Sequence, residues 1–175
     1  MSRILVHFSC GAASAVAAKV AVERYGKERD VRVIYCDLSK DEHADNRRFL
    51  LDVERWVGRP VERLKHPKYD GVDAVFAKVR YMAGAYGAAC TRVLKREVGD
   101  AYALPQDQHV LGYTADEADR IAQRVQNNPD RHWLWLLADA GITKADCYRV
   151  LQAHGIALPA MYQLGYDHNN CIGCV

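Results

Sequence analysis

Short apolar runs alternate along the chain with longer segments in which apolar residues recur at helical spacing. The short runs predict four β-strands, at residues 3–8, 31–37, 61–64 and 108–113. The longer segments predict helices at residues 13–25, 42–57, 72–81, 92–98, 115–126 and 144–154, the last of them ended by Gly155. Repeated strand–helix units favour a doubly wound parallel sheet, in which ligands bind at the carboxyl ends of the strands.

The first predicted strand runs directly into a helix through very small residues. This segment consists of Ser9, Cys10, Gly11, Ala12, Ala13 and Ser14. Because the segment has little bulk, a polyanion could approach its backbone N–H groups, and the helix dipole favours negative charge at this end. An ordinary tight turn would have a similar composition, and the Gly-Lys-Ser/Thr ending of a Walker loop is missing. The sequence therefore predicts either a phosphate-binding loop or a plain strand-to-helix turn.

Two other predicted strands lead into residues that fit a nucleotide site. Asp37 follows the second strand, where a carboxylate could bind a ribose hydroxyl or a metal, or could cap the next segment. Gly112 lies at the end of the fourth strand, and Arg120 lies in the helix that follows. Glu117 and Arg120 are three residues apart and share a helix face. Arg120 could therefore pair with Glu117 in solvent or reach an anionic ligand.

The composition is that of an ordinary globular protein. The chain has 175 residues, 50% hydrophobic and 26% charged, which fits one domain over residues 1–175. Its net charge of +2 gives no bulk electrostatic argument for nucleic acid. We see no signal-peptide pattern and no apolar run long enough for a membrane span, and we expect a cytoplasmic protein. In that compartment the six cysteines are expected to be metal ligands, catalytic thiols or core residues rather than disulfides.

Three cysteines stand in contexts typical of reactive thiols or metal ligands. Cys171 and Cys174 form a C-x-x-C pair, which can chelate a metal or cycle as a redox dithiol. Cys90 follows a loop rich in alanine and glycine and precedes a helix that contains Arg92 and Lys95. A helix start and nearby cations would stabilise a thiolate at that position.

The number of these thiols bears on which metal they could hold. Three thiolates suit a 4Fe–4S cluster with one iron open to a non-protein ligand. Zinc is the alternative metal and would need a fourth ligand, for which His168 is the nearest candidate. Cys36 and Cys147 lie in apolar patterns and are predicted to be buried core thiols.

The order of these elements resembles the phosphoadenosine phosphosulfate reductase family, within the wider PP-loop group of adenine nucleotide α-hydrolase-like proteins. Residues 9–14 are similar to that group's Ser-Gly-Gly-x-Asp-Ser phosphate loop, and Asp37 stands where the family has an aspartate. Residues 90–95, 112–120 and 169–174 look like further family blocks, especially those of short bacterial and phage members. The resemblance covers nearly the whole chain. It implies an α/β fold of the Rossmann-like PP-loop type, with a doubly wound, mostly parallel five-stranded sheet flanked by helices.

Several residues depart from the family pattern. Cys10 and Ala13 stand where Gly and Asp are expected, which removes an acidic side chain that could hold magnesium. The iron–sulfur adenylylsulfate reductases carry two consecutive cysteines where this chain has Ala89 and Cys90. The sequence also shows no separate segment with the nucleophilic cysteine of true sulfonucleotide reductases. A thiol that attacks sulfur is therefore missing unless one of the C-x-x-C pair takes that part.

The resemblance implies an enzyme that binds an adenine nucleotide and carries out sulfur-linked chemistry. ATP, adenylylsulfate (APS) and its 3′-phosphorylated form (PAPS) are the candidate nucleotides. Residues 9–14 and Gly112 would hold phosphate or sulfate groups, and Asp37 would face the ribose or adenine. The cations expected to neutralise the anion and the charge that develops on a leaving group are Arg92, Lys95 and Arg120. The expected cluster ligands and catalytic thiols are Cys90, Cys171 and Cys174.

Two other functions remain open from the sequence. A sulfonucleotide reductase would share the nucleotide site but would need an attacking thiol and a reducing partner such as thioredoxin. A non-catalytic module held together by zinc would bind a nucleotide, a nucleic acid or a partner protein. The aromatic run at residues 132–135 is either core packing or such a contact surface. The sequence leaves open the sulfur donor, the acceptor (a small molecule, a tRNA base or DNA) and the choice between monomer and homodimer.

Overall fold

The centre of the structure is a parallel β-sheet. The computed structural model describes residues 2–84, 87–169 and 171–172. Its strands are β1 (Ile4–His7), β2 (Val31–Cys36), β3 (Val61–Leu64), β4 (Gln108–Leu111) and β5 (His132–Leu134). They lie in the order β3-β2-β1-β4-β5, and every neighbouring pair is parallel. In register, Ile4 of β1 lies opposite Val31 of β2 and Gln108 of β4.

Helices connect the strands and flank the sheet. They are α1 (Ala12–Tyr25), α2 (Asn46–Val57), α3 (Val72–Val79), α4 (Val98–Tyr102), α5 (Ala118–Gln126), α6 (Lys144–Ala153) and α7 (Ala160–Gln163). A π-helical segment, Thr91–Glu97, leads directly into α4. Helix α6 begins with a capping box, in which Thr143 Oγ1 accepts from Asp146 N–H at 3.2 Å and Asp146 Oδ2 accepts from Thr143 N–H at 2.9 Å.

The two faces of the sheet are covered by different helices. Because side chains alternate along a strand, Ile4 and Val6 point to one face of β1 and His7 to the other. Ile4 and Val6 join a large core cluster with α1, α2 and α6. On the opposite face, a β-carbon at Gly99 of α4 would lie 3.6 Å from the His7 ring. The sheet is therefore covered on both sides, as an all-parallel sheet requires.

Helix α1 packs deeply because its buried positions are small. Ala15, Ala17, Ala18 and Ala21 have no exposed surface, and the helix packs against both the sheet and α6. Alanine lets the helix axis approach its neighbours closely while keeping high helix propensity. The start of α1 is therefore fixed against the carboxyl end of β1.

The α/β class, the parallel sheet and the four located strands are confirmed. The fifth strand lies in the aromatic run at residues 132–135, which the sequence assigned to packing or to a contact surface rather than to a strand. Two helices begin later than expected, α2 at Asn46 and α5 at Ala118. The residues before α2 form turns instead, because the side chain of Glu42 is buried and accepts hydrogen bonds from Tyr35 and Asn46.

The length and apolar character of the described helices bear on whether they could cross a lipid bilayer. Within residues 2–84, 87–169 and 171–172, none of the helices combines the length and apolar character that crossing a membrane requires.

Candidate functional site

The carboxyl ends of β1 and β4 lie side by side where the strand order reverses. In open α/β sheets, ligands bind in the crevice outside such a switch point. Ser9 follows β1 and Gly112 follows β4, and both residues line a cavity of about 530 Å³. The small-residue segment at residues 9–14 therefore opens into the crevice that this fold uses for ligands.

Hydroxyl groups hold this loop in shape. Ser14 Oγ accepts from Ser9 N–H at 3.1 Å and donates to the Gly11 carbonyl at 2.9 Å. Gly11 is the N-cap of α1 and, as a glycine, has no side chain that could accept from the first amides. The first amides of α1 lack intrahelical acceptors, as at every helix start, and they carry the positive end of the helix dipole. This geometry suits an anion.

One of these amides already has a partner. Ala12 N–H donates to the phenol oxygen of Tyr162 at 3.3 Å, and Tyr162 belongs to α7. Burial raises the pKa of Tyr162, so that the phenol stays neutral at physiological pH. A β-carbon at Gly11 would lie 3.3 Å from the same oxygen. Gly11 therefore leaves room for Tyr162, and an anion would use the remaining amides.

Among the residues that the structure describes, five cationic side chains line the cavity, against one carboxylate, that of Glu117. The cations are Lys95, Arg96, Arg120, Arg124 and Lys144. His168 lies in the same lining, and its pKa is lowered by burial and by the nearby charges of Lys144 and Arg120. The cavity therefore has a positive electrostatic potential, which raises the local concentration of anions.

Arg120 makes the ion pair with Glu117 that its sequence position allows. Its guanidinium pairs with Glu117, and the Glu117 carboxylate is held by Thr114, whose N–H donates at 3.0 Å. The guanidinium carbon also lies 4.7 Å from the centroid of the Tyr113 ring. Arg120 is half exposed in the pair, so a ligand anion could compete with Glu117 for it.

Aromatic rings form a second wall of the cavity. Tyr113 and Trp133 line it, and both stack on Trp135, with centroid distances of 5.6 Å and 5.3 Å. Trp133 also contacts the ring of His109 at 5.6 Å. The site thus offers flat apolar surface next to cationic groups, the combination that recognises a nucleobase beside its phosphates.

A solved structure matches the chain over its whole length. It is a phosphoadenylyl-sulfate reductase from Candida auris in a phosphate complex, and the match covers 100% of this chain and 84% of that chain. The TM-score is 0.63 at 10% sequence identity. The chain has the fold of a phosphoadenylyl-sulfate reductase. No protein-family model matches the sequence, and neither does any curated protein.

The phosphoadenylyl-sulfate reductase fold brings most of the predicted phosphate ligands together. Those that line the cavity are Ser9, Ala13, Ser14, Lys95, Gly112 and Arg120. Cys10 does not, because its side chain is fully buried, and burial together with Glu42 raises the pKa of its thiol. Arg92 does not either, since it is exposed, pairs with Glu97 at 2.6 Å and lines a neighbouring cavity.

Asp37 lies apart from the main cavity. It lines two neighbouring cavities of about 360 Å³ and 240 Å³ and accepts from Ser39 N–H at 3.0 Å. Burial opposes the charged form of Asp37, but hydrogen bonds from Ser39 and the charge of Lys65 outweigh it and keep the pKa below its usual value. Of the roles that the sequence left open, capping the next segment is the one visible in these contacts.

The structure places two of the three predicted thiols on one apolar cluster. Cys90 and Cys171 both pack against the buried residues Leu38, Val75, Ala89, Val93 and Leu94. The amide of Ile172 donates to the Asp41 carbonyl at 2.9 Å, which fixes the segment that carries Cys171. Cys174 lies outside the described residues, and no group of three His, Cys, Asp or Glu side chains within those residues could hold a metal ion.

The remaining cysteines are less alike than the sequence suggests. Cys147 is fully buried, as predicted, and burial raises the pKa of its thiol to about 12. Cys36 is only half-buried and donates to the Lys95 carbonyl at 3.4 Å, which links β2 to the π-helical segment. Burial raises the pKa of the Cys36 thiol to about 11. Neither thiol is placed for chemistry in the cavity.

Sequence reasoning missed several cavity residues. Arg124 lies four residues after Arg120, and this helical spacing could have revealed it. Arg96 directly follows Lys95. Lys144 at the start of α6 and Asn169 near the C-terminal thiols carry no local signal, because they reach the site only through the folding of the whole chain.

Proposed function

We propose that the cavity between β1 and β4 binds an adenine nucleotide through its phosphate or sulfate groups. The observation that carries this proposal is the convergence of the α1 start with five cations on one cavity of about 530 Å³. Polyanions are the ligands for which helix N-termini and clustered cations are both favourable. The fold of phosphoadenylyl-sulfate reductases supports the same ligand class.

In this proposal the loop and the cations have different roles. Ser9, Ser14 and the amides at the start of α1 bind one terminal phosphate or sulfate group. Lys95 and Arg120 neutralise the charge that develops as a bond to that group breaks, and they are already in place before the ligand binds. Tyr113 and Trp133 offer ring faces for the adenine.

We further propose that the protein is an enzyme of sulfur-linked chemistry and that Cys90, Cys171 and Cys174 hold a 4Fe–4S cluster. Thr91 lines the cavity and directly follows Cys90, so Cys90 lies beside the cavity at the start of the π-helical segment. A cluster with three protein ligands would supply one iron open to sulfide or substrate. The chain's own part is to place that iron next to the phosphate-binding residues.

A second candidate is a sulfonucleotide reductase that acts on adenylylsulfate or its 3′-phosphorylated form with thioredoxin as reductant. The activity named for the Candida auris structure favours it. It requires one of the C-terminal thiols to attack sulfur, in which case that thiol could not remain a cluster ligand. A zinc-stabilised module without catalysis, contacting nucleic acid or a homodimer partner, is the outcome if neither activity is found.

Calorimetric titration with ATP, APS, PAPS and adenosine tests the nucleotide site. We expect the three phosphorylated ligands to bind and adenosine to bind at least about tenfold more weakly, because the charge-assisted hydrogen bonds to phosphate are then missing. Lys95→Gln and Arg120→Gln should each lower the affinity, and Arg55→Gln serves as the control. Arg55 lies on α2 with its side chain 75% exposed and pairs with Asp52. Equal binding of adenosine and ATP would overturn the proposal.

Anaerobic purification tests the metal. Iron and acid-labile sulfide with a brown colour support the cluster, whereas zinc in a colourless protein supports the module. Cys90→Ala, Cys171→Ala and Cys174→Ala should each lose metal, and Cys147→Ala, which removes a buried thiol on α6, should keep it. Incubation with labelled APS and PAPS under reducing conditions, followed by analysis for sulfite, distinguishes the reductase.

A further inference from the structure

The side chain of Asn169 joins the C-terminal segment to the phosphate loop. Its Nδ2 donates to the Cys10 carbonyl at 2.7 Å and to Asn46 Oδ1 at 2.8 Å. The residue is 8% exposed, so these contacts are shielded from water. Asn169 lies two residues before Cys171 in the chain. The same side chain therefore contacts the loop and lies beside the thiol segment.

The orientation of the Asn169 amide is fixed by a chain of buried groups. Tyr35 Oη donates to Glu42 Oε2 at 2.5 Å, and Asn46 Nδ2 donates to the same oxygen at 2.9 Å. Because a carboxylate only accepts, Asn46 must turn its NH₂ toward Glu42 and its carbonyl toward Asn169. Asn169 must then turn its own NH₂ toward the Cys10 carbonyl and Asn46 Oδ1.

The other side of this amide shows how strongly the donor contacts are favoured. Asn169 Oδ1 is buried and has no hydrogen-bond partner among the described residues. If the amide were turned over, this oxygen would face two acceptors, the Cys10 carbonyl and Asn46 Oδ1, and the N–H groups would lose both partners. The two donated bonds therefore determine the position of this side chain.

Cys10 needs such support because of its backbone. Its φ is 55°, in the left-handed region, where the β-carbon of every residue but glycine is crowded. The Cys10 carbonyl and the Gly11 N–H belong to one planar trans peptide, so fixing the oxygen also fixes the direction of the N–H. That N–H belongs to Gly11, the N-cap of α1, and the loop residues on either side of it, Ser9, Ala13 and Ser14, line the cavity.

We propose that Asn169 is a positioning residue of the anion site, which holds Cys10 in the left-handed conformation and thereby sets the amides of the phosphate loop. The loop and the thiol segment then form one unit, since the loop keeps its shape only while the C-terminal segment is docked. The identity of the ligand in this inference rests on the proposed nucleotide function. The effect of Asn169 on the loop conformation does not depend on that function.

Hydrogen exchange at residues 10–14 of the full chain, read by mass spectrometry, tests the loop without any ligand. In Asn169→Ala we expect exchange there to rise about tenfold, the effect of losing one buried hydrogen bond. Asn169→Leu keeps a similar side-chain shape but has no hydrogen-bond donor, so it should give the same rise. It also serves if Asn169→Ala does not fold. Unchanged exchange in both variants would overturn the inference.

A rescue experiment separates positioning from general stability. Glycine adopts positive φ without a β-carbon penalty, so Cys10→Gly should restore slow exchange and ATP affinity in the Asn169→Ala background. Cys10→Ala removes the same thiol but keeps the β-carbon, and it should not restore them. Equal exchange rates and equal ATP affinities in the two double variants would contradict the inference. If the unaltered protein binds none of ATP, APS and PAPS, the proposed function fails, and the exchange measurements still decide the role of Asn169.

Discussion

A β-carbon on Gly112 would lie 2.5 Å from the backbone nitrogen of Ser14. Gly112 follows β4 and Ser14 lies in the first turn of α1, so the missing side chain lets the strand end touch the helix start. Backbone atoms cannot yield as a flexible side chain can. We therefore predict that Gly112→Ala pushes α1 away from β4, lowers nucleotide affinity at least about tenfold and destabilises the fold by about 1–3 kcal/mol.

Gly99→Ala is the matched control for this prediction. A β-carbon there would lie 3.6 Å from the His7 ring, an ordinary contact, and Gly99 lies within α4. The substitution should leave nucleotide affinity unchanged and should not lower stability, because alanine favours the helix. Titration calorimetry and urea unfolding measure both effects. Equal affinities of the two variants would show that the contact between Gly112 and Ser14 does not shape the site.

The residues that sequence reasoning placed correctly are those whose signal is local. The run before Ser9 and the small residues after it predict a strand, a loop and a helix, and they form these elements because each lies within one stretch of chain. Strand β5 was missed because it has only three residues, His132–Leu134, of which two are His and Trp. Such a segment becomes a strand only by pairing with β4.

The residues that sequence reasoning missed or misplaced depend on distant contacts. Tyr162 reaches the start of α1 from 150 positions away, and Asn169 reaches Cys10 from 159. The hydrophobic periodicity of the sequence carries no information about contacts between residues so far apart in the chain. The resemblance implied that Asp37 would face the ribose or adenine; the sequence could not show that Asp37 lines two cavities next to the one between β1 and β4.

Tryptophan fluorescence should report ligand binding at the aromatic wall. The chain has three tryptophans, of which Trp133 lines the cavity and Trp56 packs against His154 elsewhere. An adenine stacked near Trp133 should quench its emission. We predict that ATP quenches the unaltered protein and Trp56→Phe alike, and that Trp133→Phe loses most of the quenching. Full quenching in Trp133→Phe would place the base away from this wall.

A buried ion pair fixes the opposite ends of β1 and β4. Arg3 Nη2 lies 2.7 Å from Asp107 Oδ2, and the Asp107 side chain is fully buried. Asp107→Asn would leave the Arg3 charge without its partner, so we predict a loss of about 3–5 kcal/mol in the free energy of unfolding. Asp30→Asn removes a carboxylate from an exposed pair with Arg32 and should cost less than about 1 kcal/mol. Urea unfolding at pH 7 compares the two, and equal losses would contradict the prediction.

The stability of the protein should fall in mild acid because of two adjacent histidines, of which His109 is buried and His7 is half-buried. His7 Nε2 lies 2.9 Å from His109 Nδ1, a contact with room for one proton. Burial and the neighbouring charges of His109, Arg131 and Arg124 lower the pKa of His7 to about 3, and burial and Arg131 lower that of His109, although Asp107 opposes this. Below the unfolded pKa of about 6.5, the unfolded chain therefore binds protons that the folded chain excludes.

Because the pKa values are lowered in the folded state, acid destabilises the fold. Stability is complete above about pH 6.5 and is lost as the pH falls toward the folded pKa, by about 2 kcal/mol for His7 between pH 8 and pH 5, and His109 adds a loss of the same sign. The double variant His7→Gln, His109→Asn keeps amide groups near the two ring nitrogens but cannot titrate, so its stability should change less over this range. His154→Gln, which replaces an exposed ring, should keep the full pH dependence. Urea unfolding from pH 8 to pH 5 measures all three proteins, and a double variant with the full dependence would assign the acid sensitivity to other groups.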